Sequence, residues 1–186
     1  MKVELLKCLY DPKEYKDTGF IEFAFAGRSN AGKSSLINTL YMCNIAKVSK
    51  TPGKTKTINL FKIEDKYAIV DLPGYGYAKV PIEAMLHWKK LIEHYITHSK
   101  RLNTVFILTD IRRGIEEEEL MLMDWLKSLK KDYKIVFTKI DKISKNELVK
   151  TKEKYATIEP FYFSALTKEG RKDILKYIGE KCLLKK

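Results

Sequence analysis

The chain reads as an α/β fold in which a mostly parallel six-stranded sheet carries helices on both faces. Short apolar runs alternate with stretches of helical periodicity, and the polar motifs fall where those runs end, the place where open α/β sheets bind ligands. In order, strands are expected over 21–26, 58–64, 67–71, 104–109, 134–138 and 160–163, and helices over 33–42, 82–98, 116–129, 145–155 and 169–183. The first helix follows a glycine-rich turn at the end of the first strand. The second shows Met85, Trp88, Ile92, Tyr95 and Ile96 on one stripe, the spacing of a face laid against a core. On its other side His87, His94 and His98 read as solvated, because no carboxylate or cysteine ligand joins the His94/His98 pair to complete a metal site. The third opens on Glu116-Glu117-Glu118-Glu119, carboxylates that favour the positive end of a helix dipole. Residues 1–19 are expected to be an N-terminal arm or edge element and 20–186 a single domain, since no repeat, linker or composition break divides the rest.

Composition narrows the function classes. The 186 residues are 45% apolar, enough for one full-sized core. None of the apolar runs approaches a membrane span, and no signal peptide or lipid-anchor pattern is read, so a cytoplasmic protein without a membrane partner is expected. Cys8, Cys43 and Cys182 are odd in number and scattered, which suggests neither a disulfide framework nor a zinc site. Thirty-six Lys+Arg against twenty-four Asp+Glu leave a net charge of +12, the balance of a chain with a polyanionic partner such as a nucleic-acid backbone. Only Arg28, Arg101, Arg112, Arg113 and Arg171 are arginines, so most of that charge consists of lysine points that read phosphate rather than sequence.

Gly27-Arg28-Ser29-Asn30-Ala31-Gly32-Lys33-Ser34-Ser35 lies between the first strand and the first helix, the context a phosphate-binding loop requires. Its glycines let backbone N–H groups turn around the β- and γ-phosphates while the helix N-terminus adds its dipole. Lys33 reaches the phosphates as a point charge, and Ser34 offers Mg²⁺ a hard hydroxyl ligand. Asp71-Leu72-Pro73-Gly74 follows another strand, where the aspartate can hold Mg²⁺ through water and the Gly74 N–H can meet the γ-phosphate. Thr138-Lys139-Ile140-Asp141 ends a third. A carboxylate there accepts the paired N1–H and N2–H₂ donors of guanine, which adenine lacks. Lys139 can lie along the base plane, and Ser164-Ala165, after Phe163, can offer a backbone N–H to the base oxygen. Each motif alone is weak; in this order, each at a strand end, they point to guanine nucleotide.

These residues resemble a P-loop GTPase with a Ras-like G domain, of the translation-factor class. With Ser49-Lys50-Thr51-Pro52-Gly53-Lys54-Thr55-Lys56-Thr57-Ile58-Asn59 and Gly74-Tyr75-Gly76-Tyr77-Ala78, the chain is similar to the EngB (YihA/YsxC) family of ribosome-biogenesis GTP-binding proteins over about residues 20–180. The resemblance implies a single G domain that binds GTP and GDP, hydrolyses GTP and assists assembly of the large (50S) ribosomal subunit through its rRNA, with a link to cell division and septation. It further implies that Pro52, Gly53, Lys54 and Thr55 belong to the nucleotide site, Thr55 binding Mg²⁺ and the γ-phosphate, with Thr51 and Thr57 as competitors for that role.

Where Ras-like proteins hold a water-orienting glutamine, Tyr75 stands here, so a slow intrinsic rate is expected. Asn30, as in K⁺-stimulated GTPases, is a candidate K⁺ ligand that would supply charge near the bridging oxygen; the alternative is that it only caps its own loop. Lys33, Asn30, Thr55 and Gly74 are the expected catalytic residues, and Ser34, Thr55 and Asp71 the Mg²⁺ ligands. A monomeric GTPase switch is the leading expectation; the alternative is an rRNA-binding assembly protein whose nucleotide is mainly structural. An ATPase or nucleotide kinase is disfavoured by Asp141 and by the lack of an arginine-rich lid. Lys47, Lys50, Lys54 and Lys56, and a second basic stretch at Lys168, Arg171, Lys172, Lys176, Lys181, Lys185 and Lys186, are the expected RNA contacts.

Overall fold

The structure, a computed structural model, describes residues 2–46, 57–75 and 82–184. One sheet contains β1 (Val3–Leu9), β2 (Ile21–Gly27), β3 (Ile58–Ile63), β4 (Tyr67–Asp71), β5 (Leu102–Asp110), β6 (Asp132–Thr138) and β7 (Phe161–Phe163). Around it lie α1 (Lys33–Tyr41), α2 (Ile82–His98), α3 (Glu117–Ser128), α4 (Lys145–Lys154) and α5 (Arg171–Leu183). The strand order is β1-β3-β4-β2-β5-β6-β7, parallel from β4 to β7 and antiparallel at β1–β3 and β3–β4.

The sheet therefore has one strand more than the six expected. Val3–Leu9 shows no clean alternation, and of its residues only Leu9 is buried; backbone pairing along β3 holds it at the edge, with a register shift between Leu5 and Lys7. β3 turns back on β4 through Glu64, Asp65 and Lys66; Glu64 and Asp65 are both at positive φ (47° and 52°), and Lys66 donates its N–H to the Ile63 carbonyl (2.9 Å), a left-handed turn that follows the twist of the strands. β5 and β6 each begin two residues earlier than expected: Leu102 pairs with Glu22 and Asp132 with Thr104, while the polar Asn103 falls at the register shift between Leu102 and Thr104.

Alternation along the strands divides the core in two. Phe23, Phe25, Phe106, Leu108 and Val136 face α1 and α5, which contribute Leu36, Leu40, Ile174 and Ile178. Ala24, Ala26, Val105, Ile107 and Phe137 face the opposite way, towards Leu91, Tyr95 and Ile96 of α2, Met123 and Leu126 of α3, and Leu148 of α4. Of the α2 stripe, Ile92, Tyr95 and Ile96 pack as expected, whereas the Met85 and Trp88 side chains lie outside the described residues. His94 and His98 stack with ring centroids 4.0 Å apart and His87 Nε2 lies 2.8 Å from the Tyr10 carbonyl oxygen, so the three do not form one group. Glu22, fully buried at the start of β2, accepts hydrogen bonds from Thr18 (2.7 Å), Ser99 (2.8 Å) and Tyr95 (2.9 Å), with Tyr15 at 3.3 Å. The arm and α2 are thereby tied to β2 at the end away from the loops, and burial pushes the Tyr15 phenol up to about 12.

Two glycines of the last helix region have opposite demands. At Gly170 φ is +76° and an added Cβ would lie 1.9 Å from the Tyr162 carbonyl oxygen, while at Gly179, inside α5, it would meet nothing within 4 Å. Gly170→Ala should cost about 2 kcal/mol or more through strain and clash. Gly179→Ala should gain about 0.5–1 kcal/mol from helix propensity. Urea denaturation of the two variants checks the pair, and shifts of the same sign would contradict the local geometry.

Candidate functional site

The loop between β2 and α1 crosses the sheet at close quarters. A Cβ on Gly27 would approach the Leu108 carbonyl oxygen to 2.8 Å, so only glycine lets β2 run this close to β5 where the loop begins. Asn30 (φ 64°) and Gly32 (φ 90°) turn the chain through left-handed conformations before α1, a backbone arrangement of the kind that aims successive N–H groups into a concavity. Lys33, the first residue of α1, is buried and ion-pairs Asp71 at the end of β4; Ser34 and Ser35 are half-buried in the same first turn.

A second group of residues closes on this loop from β6. The Thr138 hydroxyl lies 2.6 Å from the Ala31 carbonyl oxygen and 3.1 Å from that of Thr109, pinning the loop to two strand ends. Lys139, at φ 58°, sends its ammonium to the Asn30 carbonyl (2.7 Å) and to Asp110 (3.0 Å). Its stem thus spans from β6 to the loop. Asp141 accepts a 2.6 Å hydrogen bond from the Ser164 hydroxyl, and that bond, with Lys142 at 3.4 Å, holds the carboxyl below its usual range. Gly32, Ser35, Lys139, Asp141, Phe163 and Ala165 help to line a pocket of about 210 Å³ between these groups. Ser164 donates its own N–H to the Glu169 carbonyl (3.1 Å), so of the expected pair Ala165 is the one whose N–H can serve a ligand.

Asp71, Leu72, Pro73 and Gly74 are buried as they leave β4. Leu72 donates its N–H to the Phe25 carbonyl (3.1 Å), Tyr75 to Gly27 (3.3 Å), and Ser29 to Tyr75 (2.9 Å), so this segment runs directly beside the loop. The Tyr75 side chain turns towards α3, where its hydroxyl donates to buried Glu119 (3.1 Å) and burial drives the phenol well above its usual range. Arg28 leaves the loop in the same direction and pairs with Glu116 and Glu118, both at 2.7 Å. Three of the four carboxylates that open α3, Glu116, Glu118 and Glu119, are therefore taken up by the loop and by Tyr75. The Asn30 side chain makes no hydrogen bond among the described residues, so the self-capping alternative is not what is seen there. Thr57 is committed to Asn59 (3.1 Å); Thr51, Pro52, Gly53, Lys54 and Thr55 lie outside the described residues.

Sequence reasoning missed Asp110, Arg112 and Arg113. They line a cleft of about 380 Å³ on the outer side of the loop, together with Arg28, Asn30 and Lys139. Burial raises the Asp110 carboxyl, but hydrogen bonds from Arg112 (2.6 Å) and Lys139 outweigh it and hold the group well below the usual carboxylate range. The available signal was an aspartate closing an apolar run, the same placement as Asp71. For a divalent ion, the Ser34 hydroxyl and the Asp71 carboxylate are hard oxygen donors on neighbouring elements, the donor chemistry that suits Mg²⁺.

A family profile described as 50S ribosome-binding GTPase matches residues 22–139. The probable GTP-binding protein EngB of Fusobacterium nucleatum is 46% identical over 97% of this chain and 96% of its own length. That of Thermosipho africanus is 45% identical over 95% and 94%. Among solved structures, a probable GTP-binding protein engB superposes with a TM-score of 0.69 at 25% identity, covering 87% of this chain and 98% of that one. A single-residue variant of Aquifex aeolicus Era bound to GDP·AlF₄⁻ shares the fold, with a TM-score of 0.65 at 20% identity over 84% of this chain and 55% of its own.

Asp141→Asn replaces an acceptor pair by a donor and an acceptor. GTP affinity should fall by tenfold or more while xanthosine triphosphate, whose 2-carbonyl accepts from the new amide, should gain. Titration of both proteins with GTP, ATP and xanthosine triphosphate reads this out; equal affinity of the unaltered chain for ATP and GTP would contradict it.

Proposed function

The chain belongs to the EngB family of GTP-binding proteins, and from that premise we propose that it hydrolyses GTP and uses the cycle as a switch in assembly of the large (50S) ribosomal subunit. The observation that carries the reading is the convergence of Lys33 and Asp71 with Lys139, Asp141 and Ser164 on one rim of the sheet, a phosphate-type group beside a base-type group. In this reading residues 20–186 are the G domain and 1–19 its arm, a monomer working in the cytoplasm. Among the described residues no helix is long and apolar enough to cross a membrane.

Gly27 to Ser35 hold the phosphates, Lys33 acting as the point charge. Asp141 accepts from the guanine N1–H and N2–H₂ groups, Lys139 lies along the base, and the Ala165 N–H donates to the base oxygen, with Phe163, Ser164 and Thr138 supporting the pocket. Ser34 and Asp71, with Thr55, would hold Mg²⁺, which when bound would supply positive charge to the phosphate oxygens. Thr55 and Gly74, joined by Leu72, Pro73 and the Pro52-Gly53-Lys54 run, sense the γ-phosphate. Order in these segments with GTP and release after hydrolysis would give the particle-binding and particle-free states.

Because Tyr75 is turned to Glu119 and carries no amide to orient water, the rate without a partner should be slow. Asn30 is the proposed K⁺ ligand. Turnover should then be higher in K⁺ than in Na⁺, and Asn30→Ala should abolish the difference. Equal rates of the unaltered protein in the two salts, with and without large subunits, would rule the ion out.

Nucleotide-dependent co-sedimentation tests the switch itself. More of the chain should pellet with large subunits in the presence of a non-hydrolysable GTP analogue than with GDP. Equal pelleting in both would favour an rRNA-binding assembly protein with a structural nucleotide.

A further inference from the structure

We propose that α4, with the β7 tyrosine beside it, is the surface through which this chain holds the phosphate backbone of large-subunit rRNA; the inference rests on the ribosomal reading above and gives it a contact surface. The excess of positive charge is not spread evenly over the described residues. On α3, Glu117, Glu118, Glu119 and Asp124 outnumber Lys127, which itself pairs with Asp124. On α5, the basic residues are largely engaged: Arg171 caps the last turn of α1 through the Thr39 and Leu40 carbonyls, Lys176 is paired with Glu180, and Lys181 with Asp132. Of the expected C-terminal RNA contacts, Lys176 and Lys181 are thus paired with carboxylates and Arg171 is used as a cap, while Lys168 and Lys172 have no carboxylate at ion-pair distance among the described residues.

Helix α4 is different. It buries no side chain fully, and Lys145, Lys150, Lys152 and Lys154 are all exposed. Among the described residues none of the four has a carboxylate at ion-pair distance. Glu147, one of only two acidic residues on the helix, is used by its own cap, accepting from the Ser144 hydroxyl (2.7 Å) and N–H (2.8 Å). Lys152 and Lys154 lie 5.3 and 5.0 Å from the ring centroids of Tyr162 and Tyr155. An aromatic face steadies an ammonium without cancelling its charge, so the lysines stay available to phosphate.

Their spacing forms two rails. Lys145 and Lys152 are two turns apart on one shoulder of the helix, about 10 Å along the axis, and Lys150 and Lys154 are one turn apart on the other, about 6 Å. Exposed lysines on long stems suit a polyphosphate that varies in local shape, the demand of an RNA backbone, better than they suit fixed carboxylates on a folded protein. Because α4 begins three residues after Lys142, this surface also adjoins the proposed base pocket.

The test is a salt series with the full chain and a non-hydrolysable GTP analogue, using naked large-subunit rRNA and purified large subunits as separate probes. K145Q/K150Q/K152Q/K154Q keeps helix propensity and removes four charges. Its plot of log affinity against log salt should be shallower by about 3 units than that of the unaltered chain, and K145Q/K152Q by about half as much, on both probes. GDP affinity should be unchanged in both variants, and K176Q/K181Q in α5, which removes the two carboxylate-paired lysines, should nearly keep the original slope. An unaltered slope in the fourfold variant would overturn the surface while leaving the ribosomal reading standing. Loss on subunits but not on naked rRNA would assign the lysines to an acidic protein and also overturn it. No binding of either probe by the unaltered chain would overturn the surface and the ribosomal reading together.

Discussion

The buried ion pair between Lys33 and Asp71 is the constraint around which the proposed site is organised. Both side chains are almost fully removed from water, with 9% and 3% of their surfaces exposed. Two such charges are tolerable only together, because each desolvated ion would be strongly destabilising without its partner. Their contact fixes the first turn of α1 against the end of β4, and with it the spacing between the loop at 27–32 and the segment at 71–74. A polyphosphate brings new negative charge to the lysine and a divalent ion brings new positive charge to the aspartate. The two side chains can then separate without either being left unpaired. In the proposed function, binding of Mg²⁺·nucleotide and the shape of the site would therefore be coupled through one pair of residues.

The base side depends on the same economy of contacts. Thr138 joins β6 to both the loop and β5, Lys139 bridges from β6 to the Asn30 carbonyl, and Asp110 supports that lysine from β5. Few of these bonds are local in sequence. The loop conformation is held by residues more than a hundred positions away, so in the proposed function recognition of the base and cradling of the phosphates would share one frame. Tyr75 and Arg28 extend the frame to α3 through Glu119, Glu116 and Glu118. Changes at the segment that follows β4 can in this way be felt by α3, on the far side of the loop.

Most of the parallel sheet was legible in the sequence, since strands buried on both faces must be apolar runs and the polar residues that end them stand out. The placement of Asp71 at a strand end, of Asp141 just beyond another and of Lys33 at the start of α1 could be read for the same reason. Val3–Leu9 could be read only as part of an arm or edge element, because the pairing of β1 rests on backbone bonds and needs no alternation of side chains. Asp110 carries no motif, and its importance appears only once Lys139 and Arg112 are seen to converge on it. The turn of Arg28 towards α3 depends on a contact 88 residues away. Charge counting could not show that Lys176, Lys181 and Arg171 of the C-terminal helix are paired or used as a cap in the folded chain, or that the lysines of α4 have no carboxylate at ion-pair distance among the described residues. The lysines at 47–56 lie outside the described residues.

A crystal structure of the full chain with Mg²⁺ and a non-hydrolysable GTP analogue would examine the coupling most directly. The expected result is that the Lys33 ammonium leaves Asp71 for the terminal phosphates, Asp71 turns to the hydrated ion, and Asp141 meets the guanine edge with its bond from Ser164 kept. A nucleotide bound elsewhere, or one bound over the loop with Lys33 and Asp71 still paired to each other, would contradict it.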